Sequence, residues 1–121
     1  MSCLLCLVVE HAPYGSISPA EAVRHAGGAL GKGWEVVLAL MGDSVHAALL
    51  GQSPPAGEWL SLSEALTKLI TDGKERVRVL ADGATLDRCR LSPKDLIPGV
   101  RRASPDDIAQ AMVECDRALL F

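Results

Sequence analysis

Short runs of apolar residues alternate along this chain with segments that open on helix-start signals, and few architectures accommodate that rhythm. The runs are Cys3 to Val9, Trp34 to Leu40, Val77 to Ala81, Gly99 to Arg102 and Ala118 to Phe121. They are rich in Val and Leu and fairly continuous in apolar character, the pattern of strands covered on both faces; Arg101 and Arg102 interrupt the fourth. Strands of this kind, separated by helices, predict a parallel sheet in a three-layer α/β/α sandwich.

The helix signals are explicit. Ser18-Pro19-Ala20-Glu21 offers a side-chain acceptor at the cap, Pro at the first helical position and a carboxylate at the third. Ser104-Pro105-Asp106-Asp107 repeats the device, and Ser92-Pro93-Lys94-Asp95 is a shorter version. Ser61-Leu62-Ser63-Glu64 opens the run Ala65 to Ile70, which ends near Asp72-Gly73. With 121 residues, 49% of them hydrophobic, the chain suits one domain over residues 1–121. Pro54-Pro55-Ala56-Gly57 then reads as a loop, since too few residues flank it for two cores.

Charge narrows the range of partners. The net charge of -3 gives no overall attraction to nucleic acid or an anionic membrane. The basic residues Arg76, Arg78, Arg88, Arg90, Lys94, Arg101 and Arg102 gather in the second half, but aromatics make up only 3% of the chain, so a base-stacking platform is missing. No run approaches the roughly 20 apolar residues of a membrane span, and Cys3 to Val9 passes into Glu10 and His11 without a signal-peptide flank or cleavage site. A cytoplasmic location is expected, and with it four cysteines kept as thiols.

In parallel sheets, ligands collect beyond the carboxyl ends of the strands. His11, Tyr14 and Asp43 follow the first two strands and are candidates to line a crevice there; as plainer roles, Asp43 or Ser44 caps a helix and Tyr14-Gly15 forms a turn. Cys3 and Cys6 have C-x-x-C spacing but lie within a strand, where residues three apart point to opposite faces, so they read as two small apolar side chains. Cys115 falls at the end of the helix opened by Ser104, beside Asp116, and reads as inert. Cys89, between Arg88 and Arg90, is the best nucleophile candidate, because flanking cations favour the thiolate; packing of a short helix is its plainer use. His11, His25 and His46 have no ligand spacing, so neither a metal nor another cofactor is expected.

The stretch Ala12-Pro13-Tyr14-Gly15-Ser16, the helix with Glu21-Ala22, the strand Val36 to Leu40, and then Gly42-Asp43-x-Val45 and Leu49-Leu50-Gly51-Gln52 resemble the DsrE/DsrF family of small sulfur-relay proteins. The Ala-Pro-x-Gly-Ser loop and the Leu-Leu-Gly-Gln ending are most similar to the DsrF/TusC branch, and Asp116 to Phe121 resembles the family's closing strand. The resemblance implies a five-stranded parallel sheet, assembly into trimers or hexamers, alone or with related chains, and a cytoplasmic system that passes persulfide sulfur between cysteines, with a sulfur-carrier protein as partner.

In catalytic relatives the acceptor cysteine lies just after the third strand. The resemblance places Asp82 at that position, and Thr85 where some relatives have a second cysteine. A carboxylate cannot carry a persulfide, so a non-catalytic, assembly-forming subunit is the leading expectation. The alternatives are a sulfurtransferase working through Cys89 and a small-molecule binding domain that shares only the fold. Oligomerisation also has a physical motive: a mean hydropathy of +0.22 and the ending Leu119-Leu120-Phe121 are apolar for a small monomer.

Overall fold

The computed structural model describes residues 3–14, 16–52 and 61–121. Five strands, β1 (Leu4–Val9), β2 (Glu35–Leu40), β3 (Val77–Asp82), β4 (Val100–Ala103) and β5 (Arg117–Leu120), form one sheet in the order β4-β3-β2-β1-β5, every neighbour parallel. Between them run α1 (Ser18–Gly31), α2 (Leu62–Gly73), α3 (Gly83–Arg88) and α4 (Pro105–Glu114), with a 3₁₀ segment over Gly42–Ala48 after β2. The expected three-layer sandwich with a five-stranded parallel sheet is therefore what the chain forms.

Strand order dictates which helix covers which face. From β1 to β4 the chain steps steadily in one direction, and right-handed crossovers put α1, α2 and α3 on one side of the sheet. The step from β4 back across to β5 runs the other way and carries α4 to the opposite side. Side-chain alternation agrees: Leu5, Leu7 and Val9 pack with Val36, Leu38 and Leu40 beneath α1 and α2, whereas Cys6, Val8, Val37 and Ala39 pack beneath Ile108 and Ala111 of α4. The strands read as unbroken apolar runs because β1 and β2 are covered on both faces.

The two edge strands explain the exceptions. Arg101 and Arg102 are exposed on β4, where outward charges discourage further strand pairing. All four residues of β5 are exposed, including Leu120, at 72%, and Val113 of the adjoining α4 is 79% exposed. Among the described residues no helix is long and apolar enough to cross a membrane.

Two of the expected caps need comment. Ser104 and Asp107 form the expected capping box, each side chain accepting the other's backbone N–H at 3.0 Å. Helix α1, however, starts at Ser18 itself, with Ile17 at the cap; its carbonyl accepts from Glu21 N–H at 3.0 Å, and Ser16 Oγ accepts from Ser18 N–H at 3.1 Å. The start thus slips back one residue because Pro19 is equally free of cost at the second helical position, where the amide would also lack a partner. The loop expected at Pro54 to Gly57 lies outside the described residues.

Candidate functional site

The register aligns Val9 with Leu40 and Leu40 with Ala81, so β1, β2 and β3 end side by side. Polar groups stitch these ends together. Met41 N–H donates to Val9 carbonyl at 2.8 Å, and Ser44 Oγ, fully buried, lies 2.7 Å from the carbonyls of both Val9 and Met41. Gly42, whose φ of 52° is the left-handed turn that glycine tolerates, directs its N–H to Asp82 Oδ2 at 3.5 Å.

Asp82 ends β3 and caps α3. Its Oδ1 accepts from Ala84 N–H at 3.2 Å and its Oδ2 accepts from Thr85 Oγ1 at 2.7 Å. The carboxylate is 7% exposed and Thr85 1%, so both are consumed in closing the strand end onto the helix. Arg88 Nη2 reaches back to Thr85 Oγ1 at 3.4 Å. Arg102 arches over the same turn: a Cβ on Gly83 would come within 3.0 Å of its guanidinium carbon, and its two nitrogens grip Asp87 at 2.7 and 2.6 Å. That pair holds the Asp87 carboxyl below the ordinary range.

Of the expected crevice residues, His11 is exposed on the loop after β1 and Asp43 is exposed in the 3₁₀ segment after β2. Tyr14 stands in the turn after β1. It sits at φ 63°, donates its hydroxyl to Gln52 Oε1 and accepts from Leu62 N–H at 3.0 Å, which ties the loop after β1 to the start of α2. Gln52 in turn donates from Nε2 to the carbonyls of Ala47 and Leu49 at 2.6 and 3.0 Å. The sequence reading missed Gln52 as the hub of this clamp; a lone amide directly after the Leu49-Leu50-Gly51 turn was the available signal.

The four cysteines are free thiols in distinct settings. Cys89 is exposed just past the end of α3, its N–H still bonded to Thr85 carbonyl at 2.9 Å, while Arg88 Nη2 donates to Thr85 Oγ1. Cys6 is fully buried, and that burial pushes its thiol up to about 11. Cys3 and Cys115 are half-buried. Among the described residues no group of three His, Cys, Asp or Glu stands together as metal ligands.

The sequence profile of the DsrE/DsrF-like family matches residues 4–121. The chain belongs to this family. An uncharacterized Methanopyrus kandleri protein, MK0008, is 33% identical over 118 residues, spanning 98% of this chain and 93% of that protein. The crystal structure of the ychN protein from E. coli superposes with a TM-score of 0.86 at 30% identity, with both chains fully covered. MTH1491 of Methanobacterium thermoautotrophicum, a protein of unknown function, superposes at 0.78 with 12% identity, over 99% of this chain and all of that one, a likeness of fold. Membership in the DsrE/DsrF-like family points to a sulfur-relay related function.

Proposed function

We propose that this protein is an oligomer-forming, non-catalytic subunit of a sulfur-relay assembly, built as a single domain and working in the cytoplasm with related chains or a sulfur-carrier protein. The observation that carries this reading is Asp82. At the strand end that the resemblance matches to the relatives' acceptor cysteine stands a carboxylate whose oxygens are already engaged by Ala84 and Thr85. Assembly is supported by family membership and by uncovered apolar side chains, among them Val113 and Leu120, whose burial between subunits would be favourable. The branch-level likeness to DsrF/TusC supports the same role.

A second reading rests on a specific observation: Cys89 is exposed and so open to a donor persulfide. In that reaction its thiolate attacks the outer sulfur, and the donor thiolate leaves. Incubation with a small persulfide, followed by intact mass measurement, decides between the two. The subunit reading expects no added sulfur on any cysteine, together with a trimer or larger oligomer by light scattering. An added sulfur atom that vanishes in Cys89→Ser would establish the transferase and overturn the non-catalytic assignment.

A further inference from the structure

Away from that rim, Cys6 and Cys115 come from opposite ends of the sequence and meet on the α4 face of the sheet. Cys6 occupies the middle of β1, within the buried cluster of Val8, Val37 and Ala39. Cys115 follows the last turn of α4 and packs against the same cluster, half-buried, its thiol donating to Met112 carbonyl at 2.9 Å. The Cys6 thiol is raised first by burial and next by the neighbouring Cys115 thiol. The link from α4 to β5 is also pinned to β1 next door: Asp116 N–H donates to Leu4 carbonyl at 2.9 Å, and Asp116 Oδ2 accepts from Leu4 N–H at 2.8 Å. Cys115 is thereby held against β1, with one side toward solvent.

We propose that Cys6 and Cys115 form an oxidisable pair, a redox modification site in which a small disulfide such as oxidised glutathione joins β1 to the α4–β5 link. Cys115, the reachable partner, attacks one sulfur of the small disulfide as the thiolate; a mixed disulfide forms, the reagent's S–S bond breaks, and one small thiolate leaves and takes a proton from water. Cys6 then gives up its proton to solvent, attacks Cys115 Sγ and displaces the second small thiol. Two protein thiols lose two electrons and the two sulfurs of the reagent gain them. The second step is the slow one, because the buried Cys6 sulfur is seldom ionised near neutral pH, so closure accelerates as pH rises. The closed ring runs from residue 6 to residue 115, and so constrains nearly the whole unfolded chain.

The test uses the full chain carrying Cys3→Ser and Cys89→Ser, so that only this pair remains. It is treated with oxidised glutathione, trapped with N-ethylmaleimide and weighed intact. The expected product is a monomer lighter by two hydrogens, carrying neither glutathione nor maleimide, with Tm raised by roughly 5–15 °C. Cys6→Ala on the same background should instead retain one glutathione on Cys115. Should the background variant fail to fold, the native chain is trapped and digested, where a linked Cys6–Cys115 peptide is the expected result. Lasting glutathione on Cys115 beside a free Cys6, two maleimides at saturating oxidant, or no linked peptide from the native chain would overturn the proposal.

Discussion

The two ends of α3 differ in almost every physical respect. At its start, Asp82 and Thr85 are buried and mutually hydrogen-bonded, joined to the strand end of β2 through Gly42. At its finish, about 10 Å further along by helical rise, Cys89 is exposed, with its backbone N–H bonded to Thr85 carbonyl. The first place holds a buried carboxylate used as a helix cap, and the second an exposed thiol. Family membership alone therefore does not transfer a mechanism to this chain.

The contrast is tested most strongly at Asp82. Asp82→Ala removes the cap to Ala84 and leaves the buried Thr85 hydroxyl without its acceptor, so a loss of about 2 kcal/mol in urea denaturation is expected. Asp82→Asn keeps an acceptor oxygen and should lose less. Cys89→Ser, the matching change at the other end, should stay within about 0.5 kcal/mol, as surface substitutions do. A Cys89→Ser loss as large as that of Asp82→Ala would make Cys89 a packing residue and collapse the distinction between the two ends.

Much of this arrangement could be read from the chain before any coordinates. The continuous Val and Leu runs of β1 and β2 mark strands buried on both faces, and the interruption at Arg101 and Arg102 falls in an edge strand, whereas the equally apolar run Ala118 to Phe121 forms the exposed edge β5. The Ser104 box was legible because capping is settled within four residues. Contacts made by the crossovers were not legible. Tyr14 is the turn residue its sequence setting suggests, but the bonds of its hydroxyl to Gln52 and Leu62 depend on the path of the chain after β2. Cys6 and Cys115 each read as inert because local spacing says nothing of the α4 crossover that sets one against the other. Asp82 was singled out by the resemblance, but its use as a cap shows only in the hydrogen bonds.

The smallest expected effect separates two carboxylates on either side of Cys89. Asp87 is held below its ordinary value of 3.8 chiefly by its hydrogen bonds to Arg102, and Asp95 chiefly by the backbone N–H of Ser92, helped by the Ser92 hydroxyl. Both folded pKa values lie below the unfolded ones, so each contribution to stability is present above 3.8 and is lost as pH falls through the lowered folded value. Their responses to salt should differ. At about 1 M NaCl the exposed pair with Arg102 is screened and Asp87 moves up toward its ordinary value, while Asp95, held by a local hydrogen bond, stays where it is. Carboxyl carbon shifts followed through an acid titration measure both at once, and Arg102→Ala should reproduce the salt effect at Asp87 alone. If Asp95 rose along with Asp87 in that variant, the turn after Cys89 would depend on Arg102 as the end of α3 does.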